Sequence, residues 1–429
     1  MNGWAWVCLL ALSIEGCGGE PHVPEPAAPD PSPSEAPTEE AAGDQAEDDP
    51  EPAEVPPEPE PLLAIDTHVD TTLRMLDDDD DIGERLSDGH LDLVRMREGG
   101  LHAAFFSVWV NPRRYRGEAA WRRALAMTET IREVATRHPE QAAVCRSAEE
   151  VRAAVREGKI ALLIGVEGAH AFGSDDEATV LRRLREIYEL GARYLTITWS
   201  TDNPLGHSST GDAPARGLTP LGRRVVREMN ALGMIIDVSH VSDPTFSDIM
   251  DITTRPVFAS HSSARALSDH PRNMDDAMIR RVAEAGGAVC VNYFSNYVDA
   301  EYLARRRRAE RRHRRAMREI RAQDLRYSER GRAERNVLVE VEPDLDPPDL
   351  ETLGDHFAHI VSVGGPEAAC LGSDFDGVSE LPVGLDDVSQ LGALYAELER
   401  RELPLRPILG ENVLRILAAQ ETSPAAPTE

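Results

Sequence analysis

Eight short apolar runs recur along the chain from Leu62 onward, and most are separated by stretches whose apolar residues return every three or four positions. The runs are Leu63–His68, Ala103–Val110, Lys159–Val166, Arg193–Trp199, Met234–His240, Pro256–Ser260, Ala288–Tyr293 and Ala369–Ser373. Nearly continuous apolar runs of this length predict strands buried on both faces, as in a parallel sheet covered by helices. The segments Ala119–Arg137, Glu177–Leu190, Thr219–Leu232 and Asp275–Ala285 carry the helical period. Alternation of this kind over eight units predicts an α/β chain closed into a (β/α)8 TIM-like barrel. An open doubly wound sheet is the alternative, but no glycine-rich phosphate turn follows the first run.

The barrel is expected over residues 62–420, with a short flexible tail at 421–429. The first sixty residues are of a different kind. Trp4 to Ile14 is an apolar run too short to span a bilayer, and it ends at the small residues Gly16, Cys17, Gly18 and Gly19. Residues 1–17 therefore read as a signal peptide. Ile14, two further residues and Cys17 resemble a bacterial lipoprotein processing site, which implies a lipid on Cys17 and an exported chain held on a cell membrane, facing the periplasm or the exterior. A cleaved secretory peptide without lipid is the alternative; Glu15 and the lack of Lys or Arg before the run depart from the lipoprotein pattern. Residues 18–61 hold fourteen acidic residues, no Lys or Arg and many prolines, the composition of an extended acidic linker. That stretch accounts for about half of the net charge of −30. So acidic a balance excludes a nucleic-acid surface, which has to be basic.

Chemistry-bearing residues fall at the C-terminal ends of the apolar runs. His68 and Asp70 follow the first run, Glu167 the third, His240 the fifth, His261 the sixth and Asp374 the eighth. In a barrel those ends converge on one mouth. A His-x-Asp pair on an extended strand directs both side chains to one face, so His68 and Asp70 can serve one metal. Imidazole nitrogen with carboxylate oxygen suits zinc or a related divalent ion, a further carboxylate such as Glu167 can bridge two ions, and two ions can share and activate one hydroxide. Each residue alone would read as a hydrogen-bonded structural group. Six such placements in apolar surroundings require a compensating charge or a function. Asp237 precedes its strand's end and is assigned a supporting role.

Asp66–Asp70 (Asp-Thr-His-Val-Asp), Val166–Gly168, Asp237–Ser242, Ser260–Ser263, His270–Asn273 and Gly372–Val378 (Gly-Ser-Asp-Phe-Asp-Gly-Val) follow one another in that order. With these motifs the chain resembles the membrane (renal-type) dipeptidase family of the metal-dependent amidohydrolase superfamily from Leu62 to Leu417. The resemblance implies two zinc ions per chain, with His68 and Asp70 on one, His240 and His261 on the other and Glu167 between them. It further implies that Asp374 is the catalytic acid/base, that Arg272 grips the carboxylate of a dipeptide, that Tyr297 is an aromatic of the pocket, and that the protein is a homodimer. In one place the chain departs from the family. Within Thr196–Pro204, Trp199 stands where the family often has a histidine that contacts the substrate carbonyl. Trp199 is expected to narrow the pocket and to offer its indole N–H; His207, eight residues on, is either a substitute or a solvated loop residue.

The implied function is zinc-dependent hydrolysis of L,L- and L,D-dipeptides. Two other readings stand beside it: a surface module that binds metal without turnover, and an amidohydrolase of another small amide. Three further features read as structural. Cys145, Cys290 and Cys370 lack a ligand spacing and are expected as small core residues, with no disulfide framework. His356 and His359 suit a helix packed beside the barrel. The arginine-crowded segment Glu301–Arg335 predicts a surface helix or lid, and anionic membrane headgroups fit it better than nucleic acid does.

Overall fold

A computed structural model describes residues 62–421 apart from Asp324 and Arg326. Cys17, the expected signal peptide and linker, and all but the first residue of the tail lie outside the described residues. Nine parallel strands form the sheet: β1 (Ile65–Val69), β2 (Ala103–Trp109), β3 (Ala142–Val144), β4 (Ile160–Glu167), β5 (Ala192–Thr196), β6 (Ile235–Asp237), β7 (Phe258–Ala259), β8 (Ala288–Val291) and β9 (Ala369–Leu371). Closure comes from β2 pairing with both β1 and β4, in the latter case along its whole length from Ala103 opposite Ala161 to Trp109 opposite Glu167. Eight of the strands thus make the expected closed barrel. The extra one, β3, pairs only with Ile160–Leu162 at the start of β4, below the point where β5 joins. Three small apolar residues give no readable alternation, which is why the sequence pattern misses it.

The helices lie where the periodicity predicts, within a residue or two at their ends. In Glu118–Arg137, Ala120, Trp121, Ala124, Met127, Ile131 and Val134 are buried, a stripe at three- and four-residue spacing. Thr219 and Asp275, expected as first helical residues, are instead caps, their side chains accepting from Gly222 N and Met278 N. None of the described helices is long and apolar enough to cross a membrane.

One expectation is corrected. Cys290 and Cys370 are joined in a disulfide. They are register partners on the adjacent strands β8 and β9, so their side chains leave the sheet side by side; a sequence separation of 80 hides that neighbourhood. Cys145 is a buried free thiol, pushed up to about 12 by burial, and is an inert core residue as expected.

The arginine-rich segment between β8 and β9 forms three helices, Ala300–Arg312, Arg314–Arg321 and Tyr327–Val341. They share a small core of Tyr302, Ala309, Met317, Ile320, Leu338 and Leu345. Arg306 turns inward to a buried ion pair with Glu380, in the loop after β9, and Arg332 pairs with Asp88. The segment is therefore fixed to the mouth side of the barrel. His356 and His359 are hydrogen-bonding pins. His356 accepts from Ala264 N and donates to Val298 O, and His359 meets Asp276 at 2.7 Å.

Candidate active site

Barrel closure gathers all six strand-end residues at one mouth. His68 lies in β1, Asp70 just beyond it, and Glu167 ends β4. His240, His261 and Asp374 follow β6, β7 and β9. Two of these turns need left-handed backbone, with φ of 66° at His240 and 65° at Asp374. Such strain in non-glycine residues is characteristic of functional sites. All six residues are buried. His68, Glu167 and His261 place ligand atoms within 4.8 Å of one another, and so do His68, Asp70 and Asp374.

The two oxygens of Glu167 face different partners. Oε1 lies 2.9 Å from His240 Nε2 and 3.5 Å from His261 Nε2, while Oε2 lies 3.9 Å from His68 Nε2. His240 and His261 point their Nε2 atoms at each other across 2.9 Å. Among the described residues, His68 Nε2 and Asp70 Oδ1 are buried without a hydrogen-bond partner. Facing lone pairs and orphaned buried atoms are costly, and a cation between them removes the cost. The donor set of imidazole nitrogens and carboxylates therefore fits a divalent metal.

Supporting hydrogen bonds set the ring orientations. Asp237 Oδ2 accepts from Thr196 and, at 2.7 Å, from Ser260 Oγ; that hydroxyl stands 2.7 Å from His261 Nδ1. With its proton on Asp237, Ser260 accepts the Nδ1 proton of His261, which leaves Nε2 bare as a ligand. Asp237 supports the site without entering it, as expected. Tyr194 OH holds His68 Nδ1 at 2.8 Å, and Asn292 Nδ2 donates to Asp374 Oδ2 at 2.9 Å. Tyr194 and Asn292 carry no motif, and Ser260 opens the Ser260–Ser263 motif without a role of its own being read there; sequence reasoning passed over all three.

Burial shapes the electrostatics first. It holds Glu167 well above the usual carboxylate range and pushes Asp374 up to about 7, with Asp70 adding like charge. His240 and His261 are driven well down by burial and by nearby cations, Arg272 and His68 among them, and so are neutral. Burial alone would lower His68 too, but Asp70, Glu167 and Asp374 lift it to about 10. Without metal, then, the cluster of His68, Glu167 and Asp374 retains a shared proton at neutral pH, whereas ligands must be bare. Loading the metal-free protein with a divalent ion near neutral pH is expected to release on the order of one proton or more per chain. Calorimetry in buffers of different ionisation enthalpy measures it, and an enthalpy independent of buffer would contradict this charge assignment.

Beside these groups opens a cleft of about 480 Å³, its open side included, lined by Trp109, Trp199, Ser200, Arg272, Phe294 and Tyr297 along with Asp70, Glu167, His240 and Asp374. Arg272 is buried, donates to His261 O at 2.9 Å and lies over the Tyr297 ring at 5.4 Å; its Nε has no partner among the described residues. Arg272, Tyr297 and Trp199 are thus brought together. His207 is not: it stands 2.8 Å from Asp202, away from this lining.

A (β/α)8 barrel with imidazoles and carboxylates converging at the C-terminal mouth is the architecture of the metal-dependent amidohydrolase superfamily. Comparison narrows this: residues 60–428 match the model of the membrane dipeptidase family, peptidase family M19, and the chain belongs to that family. An uncharacterized dipeptidase of Schizosaccharomyces pombe is 33% identical over 343 residues, covering 76% of this chain and 71% of its own. Among solved structures, dipeptidase AC, a metallopeptidase of family M19, is 27% identical with a TM-score of 0.67, over 84% of this chain and 98% of its own. A metallopeptidase from Rhodobacter sphaeroides, liganded with a phosphinate mimic of the dipeptide L-Ala-D-Ala, is 27% identical with a TM-score of 0.66, over 84% and 99%. The chain is accordingly a metallopeptidase-family hydrolase of dipeptidase type.

Proposed function

We propose that the protein is a binuclear zinc dipeptidase cleaving L,L- and L,D-dipeptides. The observation that carries the reading is the split of Glu167, one oxygen toward His240 and His261 and the other toward His68. That arrangement suits one ion held by His68 and Asp70, a second by His240 and His261, and Glu167 between them. When bound, such ions polarise a carbonyl and acidify water enough to attack at neutral pH. The chain's own residues do the rest. Arg272 offers a planar fork of donors to the substrate carboxylate, backed by Tyr297. Asp374, with a carboxyl near neutrality and Asn292 fixing its orientation, takes a proton from the attacking water and passes it to the leaving amine. The ligand of the Rhodobacter sphaeroides relative supports including a D-residue in the leaving position.

A hydrolysis screen of L,L- and L,D-dipeptides, with metal analysis of the same preparation, tests the reading. Protein that carries its metals and cleaves none of them would be a metal-binding module or a hydrolase of another amide.

Anchoring through a lipid on Cys17 is proposed alongside it. The exposed arginines Arg307, Arg311, Arg314 and Arg318 of the inserted helices suit anionic headgroups. Cys17→Ser is expected to move the protein from the membrane fraction to the soluble one with its hydrolytic activity intact. Equal membrane association of both forms would refute the anchor.

A further inference from the structure

Trp199 is the single residue, among those described, that lines both the reaction cleft and a second cavity beside it. That cavity, about 1160 Å³ including its open side, is bounded by Pro112, Tyr115, Gly117, His170 and Pro204, with the exposed residues Arg113, Arg116 and Asp175 and the polar Ser174 and Thr201 also on its lining. The indole is firmly seated. Trp109 packs on it with ring centroids 5.0 Å apart, and His170 lies at 6.3 Å. His170 is itself held by its bond to Val110 O, 2.7 Å. Gly168, at φ +84°, lets the chain pass under this cluster; a Cβ there would overlap the His170 ring and press on Trp199 Cβ at 3.2 Å. Four residues thus fix a flat apolar partition between two spaces.

Topology says which end of the substrate meets the partition. In a closed barrel of eight strands, the strand four places round lies opposite. Arg272 is in the loop after β7, across the mouth from β2 and its last residue Trp109; Trp199 follows β5, two places from either strand, and its indole reaches over to Trp109. A dipeptide whose carboxylate is on Arg272 therefore extends its N-terminal residue toward Trp109 and Trp199. We infer that Trp199 limits that residue to a small side chain, and that the cavity behind the indole is a subsite, suited to aromatic or large aliphatic groups, that the wild-type protein keeps shut. This rests on the dipeptide reading above.

The test compares kcat/KM for Ala-first and Phe-first dipeptides sharing one C-terminal residue, in wild type and in Trp199→Ala. Phosphinate mimics with the same two side chains give the binding part of the ratio. Wild type is expected to favour Ala by about tenfold or more, and Trp199→Ala to shift the ratio toward Phe by a similar factor, the scale of one mismatched group in an apolar pocket. Equal use of both substrates by wild type would overturn the inference, whether or not the variant folds. So would an unchanged ratio in a Trp199→Ala or Trp199→Phe protein with full metal content. Wild type that cleaves no dipeptide with its metals in place would remove the function reading, and this inference with it.

Discussion

Replacing Glu167 with Gln is expected to cost the protein at least one divalent ion while the barrel stays folded. Glu167 is buried among three imidazoles, one oxygen facing His240 and His261 and the other facing His68. A carboxylate in that position supplies negative charge to two cations at once. The amide keeps the shape but removes the charge, and it turns an NH2 toward one imidazole set where an acceptor was needed. Metal analysis with circular dichroism on the same sample measures the outcome. Wild-type metal content in the folded variant would sink the bridging assignment.

What could be read from the sequence follows from where the constraints are local. His68, Asp70 and Glu167 were legible because each closes an apolar run, and a barrel carries run ends to one place whatever the loops do. The disulfide was not, since pairing Cys290 with Cys370 depends on β8 and β9 being neighbours in register. Tyr194, Ser260 and Asn292 were missed for a related reason. Tyr194 and Asn292 reach His68 and Asp374 from strands far away in sequence, and Ser260 matters only through Asp237. Periodicity also failed at β3, where three residues are too few to show a period. The orientation of Trp199 against Trp109 likewise emerges only when the barrel closes.

Asp374→Asn is expected to lower kcat by about a hundredfold or more, the scale of a positioned acid/base, with metal and fold retained. The substitution isolates protonation. Asn adopts left-handed backbone readily, so the φ of 65° at this position is no obstacle. It also keeps the size of the side chain and an oxygen for Asn292 to donate to. What it removes is the capacity to take up and release a proton from a carboxyl that burial has raised to about 7. Because Asp374 shares a potential ligand group with His68 and Asp70, metal content has to be measured in the same preparation. Loss of an ion would make Asp374 a ligand, and wild-type turnover at full occupancy would mean that another group moves the proton. Arg272→Ala supplies the contrast. In the proposed role its guanidinium would hold a group that stays charged throughout the reaction, so its loss is expected to raise KM by a larger factor than it lowers kcat. If both variants lost kcat alone, Arg272 would be acting on the transition state, and the division of labour between grip and proton transfer would have to be redrawn.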